Sequence, residues 1–307
     1  MTEKLPLLVI CGPTGSGKTS LALSLVQDYP IEIISADSRQ VFRQMNIGTA
    51  KATAEEQTLA PHHMIDLIDP DQEFSVAEFV DRARPLIEDI TARQCLPCVV
   101  GGTGLYIKAL IGGLAELPSG DDALRLQLHQ REESEGPGTL YSDLQKVDPA
   151  SADQIHPRNV IRIVRALEVF MLSGKRLSTL KDAHRFAEQK YRVLQFAPHW
   201  ERAELYSRIE RRAQQMIDLG LIDEVKDLVE RYSFDLKALQ TLGYREVLRY
   251  LRDETSEQEM LEEIQQYTRQ YAKRQMTWFR KDPEIIWVDS STESGKVLRS
   301  IDNFIQR

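Results

Sequence analysis

Gly12-Pro13-Thr14-Gly15-Ser16-Gly17-Lys18-Thr19 fits the spacing G-x-x-x-x-G-K-[ST] at every fixed position. Glycines let successive backbone amides curl around phosphate oxygens, a helix opening just after them adds positive potential, and Lys18 adds a full charge. The Thr19 hydroxyl is placed to ligate Mg²⁺ shared with the same phosphates. The loop predicts a polyphosphate ligand without saying whether that ligand is a nucleotide. Asp37, in Ser35-Ala36-Asp37-Ser38-Arg39-Gln40, closes a β-branched run. Ligands of open α/β sheets sit at strand carboxyl ends, so Asp37 belongs near the loop, as a general base or through water to Mg²⁺. A turn or cap aspartate accounts equally well for that position. Gly101-Gly102-Thr103-Gly104-Leu105-Tyr106 is a second glycine turn that brings the Thr103 hydroxyl to the same rim, or is a plain strand-to-helix turn. Cys95 and Cys98 have metal-ligand spacing, but Cys11 is the only other cysteine, and zinc would need two more ligands, such as His62 and His63. A cysteine pair at a buried strand edge is the better reading.

Further along, Tyr267, Tyr271, Arg274 and Trp278 recur at helical spacing on one face. Aromatic rings beside guanidinium groups suit base stacking and phosphate contact, although such a stripe is more often core, the reading kept for Trp278. Two strips carry a net charge of +5 each, residues 158–181 and 264–281, in a chain of net charge −8. Either strip alone reads as a solvated helix face; both on an otherwise acidic body suit a locally bound polyanion.

The elements that must hold these groups follow from hydrophobic periodicity. Leu5 to Cys11, Ile31 to Ala36, Cys98 to Gly102, Tyr191 to Pro198 and Ile285 to Val288 read as strands, with His62 to Leu67 a further one. Helical patterns cover Ser20 to Gln27, Val76 to Thr91 and Leu105 to Leu110, and long helices follow from Glu201. Ser256 and Glu259 form a capping box that opens one of them. Alternation of this kind predicts a parallel sheet flanked by helices. Between residues 119 and 188 only helical patterns and loops occur, which predicts a helical insertion domain within a core of 1–118 and 189–307. With 42% hydrophobic and 28% charged residues, the 307-residue chain is globular rather than fibrous or disordered. No apolar run reaches a membrane span, no cleavage signature follows Met1, and three cysteines make no disulfide framework, which predicts a cytoplasmic protein.

These stretches occur in order with Asn46-Ile47-Gly48-Thr49-Ala50-Lys51, Arg162-Ile163-Val164-Arg165-Ala166-Leu167-Glu168-Val169, Leu242-Gly243-Tyr244 and Thr268-Arg269-Gln270-Tyr271-Ala272-Lys273-Arg274-Gln275. Together, from about residue 7 to 288, they resemble the bacterial tRNA dimethylallyltransferases, the tRNA isopentenyltransferase family. Gly15 stands where many members carry alanine, and the zinc finger of eukaryotic members is absent. The resemblance implies a P-loop NTPase-like α/β fold with a helical insertion. It implies transfer of a dimethylallyl group from dimethylallyl diphosphate to the exocyclic amine of the adenosine 3′ to the anticodon, in tRNAs that read codons beginning with U. Diphosphate is released, with Mg²⁺ as cofactor.

Carried over residue by residue, it implies a diphosphate cradle of Gly12, Pro13, Thr14, Gly15, Ser16, Gly17, Lys18 and Thr19, with Thr19 on the metal. Asp37 is the implied base, Thr103 a hydrogen-bond partner near the amine, and Arg212 a diphosphate contact, with Arg211 as the neighbouring alternative. Contacts with the tRNA anticodon stem-loop are implied for Asp37, Ser38, Arg39, Gln40, Thr103, Arg125, Arg162 and Arg165, and Arg274 joins them from its aromatic face. The expected enzyme is a monomer with no membrane partner. Two other classes compete: a small-molecule P-loop kinase, which needs arginines of an ATP lid, and a non-catalytic P-loop regulator, which needs neither Asp37 nor Thr103. An adenylate isopentenyltransferase shares the chemistry, but the insertion and the second basic strip favour tRNA.

Overall fold

A computed structural model describes residues 4–184, 190–289 and 293–306. Residues 1–3, 189, 290–292 and 307 of the expected core, and 185–188 of the expected insertion, lie outside the described residues. The chain begins β1 (Leu5–Cys11), α1 (Lys18–Ser24), β2 (Ile31–Ser35), α2 (Ala54–Leu59), β3 (His62–His63), α3 (Val76–Ala92), β4 (Leu96–Gly101) and α4 (Gly104–Gly112). A run of helices follows: α5 (Asp122–Glu135), α6 (Thr139–Val147), α7 (Pro149–Gln154), α8 (Val160–Ser173) and α9 (Leu177–His184). The chain then returns through β5 (Tyr191–Pro198), α10 (Arg202–Asp218), α11 (Leu221–Arg231), α12 (Tyr244–Leu251), α13 (Glu257–Phe279), β6 (Ile285–Val288) and α14 (Ser294–Ile305).

Among the described residues the strands form one parallel sheet in the order β3-β2-β4-β1-β5-β6. Its central strands are continuous apolar runs because helices cover them: Leu8, Ile10, Ile33 and Cys98 pack with Leu21 of α1 and Val297, Ile301 and Phe304 of α14. After β1 the chain moves to one side of the strand, and after the insertion β5 pairs on the other side, so the carboxyl end of β1 is the crevice expected to bind a ligand.

The chain divides into two compact units, residues 1–111 with 189–307, and residues 112–188. The second unit has its own core, in which Leu128, Leu140, Leu144, Ile163 and Leu167 are buried. Its connection 113–121 holds no regular structure. No described helix is long and apolar enough to cross a membrane.

Helix α2 falls where the sequence reading had no helix, and three further elements differ from that reading. The strand expected over His62 to Leu67 stops at His63, because Met64 and Asp66 take left-handed backbone angles, φ 64° and 52°, that a strand cannot contain. The first helix is shifted and starts at Lys18, with Gly17 at φ 83° as its cap residue. Helix α14 was not legible in its serine-rich surroundings, though it seals the sheet. The Ser256–Glu259 capping box is present at the start of α13.

Candidate active site at the strand ends

The phosphate loop joins β1 directly to α1. Gly12, Gly15 and Gly17 all hold positive φ angles. Two helices from the far half of the chain brace it. From α10, Arg208 Nε donates to the Gly15 carbonyl at 3.0 Å, and Arg212 reaches Thr14 Oγ1 at 3.4 Å. Just ahead of α10, Trp200 Nε1 donates to the Ser16 carbonyl at 2.8 Å, and the Arg208 guanidinium stacks on its ring at 4.2 Å. From α13, Gln275 accepts the Thr14 N–H at 2.8 Å. Lys18 Nζ donates to the Pro13 carbonyl at 2.8 Å. Burial and then the nearby Arg212 charge push the Lys18 ammonium down to about 8, with Asp37 opposing the shift. Burial likewise lowers Arg212. Three cationic side chains thus face the loop, whose Pro13, Gly15 and Ser16 carbonyls are already bonded, while the buried Ser16 hydroxyl has no partner, an arrangement suited to an anion.

Asp37 lies just past β2, and its Oδ1 accepts the Arg39 N–H at 2.8 Å, so the turn-forming role is present alongside any chemical one. Thr103 ties this turn to β4: its Oγ1 accepts the Ser38 N–H and its own N–H donates to the Ala36 carbonyl, both at 3.1 Å. The two strands approach so closely here that a Cβ on Gly101 would lie 2.2 Å from the Ala36 oxygen. Glycine is required for contact rather than for φ. Gln40 turns inward, accepting from Ser35 Oγ and donating to the Thr49 and Ala50 carbonyls, which leaves little of its amide for a ligand. Arg39 is exposed.

Two clefts meet at this point. The larger, of about 950 Å³, runs along the phosphate loop and takes in Lys18, Thr19, Gly102 and Arg208. The smaller, of about 580 Å³, is walled by Ser38, Arg245, Tyr267 and Arg274. Thr14, Asp37, Thr49, Arg212 and Tyr271 line both. In the smaller cleft, guanidinium groups lie over the tyrosine rings, Arg245 over Tyr267 at 5.0 Å and Arg274 over Tyr271 at 5.6 Å. Burial pushes the Tyr271 phenol up to about 12. Trp278, read from sequence as core, is instead 43% exposed. Its indole lies over Gly104, where a Cβ would fall 2.2 Å from Nε1, so glycine makes room for one face of the ring and solvent meets the rest.

Arg212 rather than Arg211 contacts the phosphate loop, and Arg211, though exposed, still lines the larger cleft. In the insertion, Arg162 is exposed on α8. Arg125 and Arg165 both engage Glu168, which is fully buried, and Arg165 also donates to the Pro118 carbonyl at 2.9 Å. Burial raises the Glu168 carboxyl, but bonds from Arg165, the Asp121 N–H and Arg125 outweigh it and hold the group below its ordinary value. The three cysteines are free, His63 pairs with Glu32, and no cluster of three metal-binding side chains occurs among the described residues. A Mg²⁺ on a diphosphate does not need such a cluster, since it keeps waters and takes its other oxygens from the ligand. The Thr19 hydroxyl in the larger cleft fits that demand. Sequence reasoning missed Arg208, Trp200 and Gln275, the last of which stood in a motif already noted without an assigned role; Tyr267, singled out for base stacking, does wall the smaller cleft.

Known proteins match this chain almost end to end. A model of the IPP transferase family matches residues 40–282, and one of isopentenyl transferases matches residues 5–66. The tRNA dimethylallyltransferase 1 of Syntrophotalea carbinolica is 48% identical over 98% of this chain and 96% of its own length. The crystal structure of the tRNA isopentenylpyrophosphate transferase of Bacillus halodurans is 40% identical, with a TM-score of 0.71 over 99% of this chain and 96% of that one. A eukaryotic dimethylallyltransferase, captured acting on tRNA, superposes with a TM-score of 0.83 at 29% identity, over 98% of this chain and 79% of that one.

Proposed function

Since this chain belongs to the IPP transferase family, we propose that its two joined clefts bring a tRNA adenosine and dimethylallyl diphosphate together at Asp37. The protein is a tRNA dimethylallyltransferase: it moves a dimethylallyl group from dimethylallyl diphosphate to an adenosine near the anticodon. In our reading the target is the adenosine 3′ to the anticodon in tRNAs that read codons beginning with U.

The meeting of a cationic cleft and an aromatic cleft at one carboxylate carries this reading. The donor lies in the larger cleft with its diphosphate on the amides of Gly15, Gly17, Lys18 and Thr19. The adenine leaves the anticodon stack, at a cost of a few kcal/mol, and enters between Tyr267 and Tyr271. The exocyclic nitrogen bonds to the first carbon of the dimethylallyl group as the carbon–oxygen bond to diphosphate breaks. Asp37 takes the proton the amine loses, with Thr103 holding the Asp37 turn in place. Lys18 and Arg212 stabilise charge growing on the departing diphosphate. Mg²⁺, held by Thr19, supplies further neutralisation of that charge when bound. Met216, an apolar residue of α10 that lines both clefts beside Arg212, is suited to the donor tail.

Arg162, with Arg125 and Arg165 held by Glu168, is read as contacting the anticodon stem, and Ser38, Arg39 and Arg274 as facing its loop. One chain lines both clefts, so a monomer suffices, and a tRNA substrate places the work in the cytoplasm. The test supplies dimethylallyl diphosphate or ATP separately with tRNA and Mg²⁺, and measures prenylated adenosine, diphosphate and ADP. Prenylated adenosine from the first donor alone is expected. RNA-stimulated ADP without prenylation sinks this reading and revives a kinase or ATPase, and equal transfer to free AMP removes the tRNA assignment.

A further inference from the structure

Gln275 lies on α13 with only 6% of its surface exposed. Its amide spans two loops that are remote in the chain. Oε1 accepts the Thr14 N–H at 2.8 Å, and Nε2 donates to the Gly102 carbonyl at 2.8 Å. The orientation of the amide is forced, because a backbone N–H only donates and a carbonyl only accepts. The approach is tight enough that a Cβ on Gly102 would fall 2.3 Å from Nε2, so the second glycine of that turn is required by this contact.

Each partner stands next to a reacting group of the transfer. Thr14 belongs to the diphosphate cradle and meets Arg212 through its side chain. Gly102 precedes Thr103, whose hydroxyl holds the Ser38 N–H beside Asp37. One end of the amide therefore grips the leaving-group side and the other grips the base side. The geometry points to Gln275 as a positioning residue that sets the distance between the departing diphosphate and the base. It acts through Thr14 and Thr103, and only an amide of this length offers one strong acceptor and one donor in line: glutamate has no donor, and methionine has no donor and only a weakly accepting sulfur. The inference rests on the transferase reading.

The test compares the full chain with Gln275→Glu and Gln275→Met. Glutamate keeps the bond to Thr14 and loses the one to Gly102; methionine loses both. For Gln275→Glu we expect kcat to fall about 10- to 100-fold, the cost of misplacing reacting groups by about an ångström, with the donor KM within about 2-fold of wild type. For Gln275→Met a similar loss of kcat is expected, with the donor KM also raised several-fold. Affinity for tRNA stays within about 2-fold in both, because the amide faces neither Arg245 nor Arg274. Wild-type kcat in Gln275→Glu overturns the assignment. So does a parallel loss of kcat, donor KM and tRNA affinity in both variants, the pattern of a merely structural residue. Titration with inorganic diphosphate separates this from the transferase reading. A wild type that binds diphosphate but prenylates nothing defeats that reading. The coupling is then judged on diphosphate affinity alone: a loss confined to Gln275→Met sustains its donor arm, and equal affinity in all three proteins overturns it.

Discussion

Asp37 carries two duties on one carboxylate, since an oxygen that receives the Arg39 N–H also belongs to the group asked to take a proton. Asp37→Asn keeps a carbonyl for the turn and removes the base. Turnover is expected to fall by about 10²- to 10⁴-fold with tRNA affinity little changed. Single-turnover rates settle the matter, and near-normal values remove Asp37 from the base role. Lys18 gives a pH signature. Burial sets its folded value near 8, below the 10.5 of a free lysine, so the unfolded chain binds the extra proton between those values. Stability therefore gains from this group as pH rises from about 8 toward 10.5, while the donor-free loop loses its charge over the same interval. The KM for dimethylallyl diphosphate is expected to climb above pH 8 while the melting temperature gains this contribution, and a flat KM up to pH 9.5 contradicts it. Lys18→Ala is expected to cost about 2–4 kcal/mol in transfer, the scale of one strong electrostatic donor, and to abolish that pH dependence.

At the scale of elements, the sequence showed which helices matter more readily than what their side chains touch. The strand–loop–helix order of the phosphate site was legible because apolar runs and glycines are local signals. The grip of α10 and α13 on that loop was not, because contacts between residues 14 and 275 leave no local pattern. The basic strip of α8 was legible as charge, but its division of labour was not. Arg162 is exposed, whereas Arg165 and Arg125 close on a buried carboxylate. Arg162→Ala is accordingly expected to lower the slope of log tRNA affinity against log salt by roughly 0.7 to 0.9, one phosphate contact, with melting unchanged. An unaltered slope removes Arg162 from the interface. Glu168→Ala acts differently, stranding two guanidinium groups and the Asp121 N–H. A loss of about 3 kcal/mol in stability is expected, the low end for a broken buried pair because both arginines remain about a third exposed. Chemical denaturation monitored within residues 112–188 measures it.

At the scale of the molecule, the parallel sheet and the helical insertion follow from alternating patterns that the sequence displays openly. The clefts do not, because they are made by residues from both ends of the chain: Thr14 and Asp37 from the first half, Arg212 and Tyr271 from the second. The aromatic face of α13 pointed toward a ligand, yet only the fold separates its cleft-lining tyrosines from the exposed Trp278.

The pairing of β1 with β5 across the insertion also governs how this protein is made. A ribosome that has released β1 must synthesise the whole of residues 112–188 before the strand that completes its edge emerges. At 5–20 residues per second that interval lasts roughly ten to forty seconds. Throughout it an apolar strand edge waits unpaired, open to chaperones or to a neighbouring nascent chain. Residues 112–188, with a core of their own, have no such wait. On stalled ribosomes the insertion is expected to resist protease before the sheet that flanks it in sequence does. Protection appearing first in β1 and β4 contradicts that order.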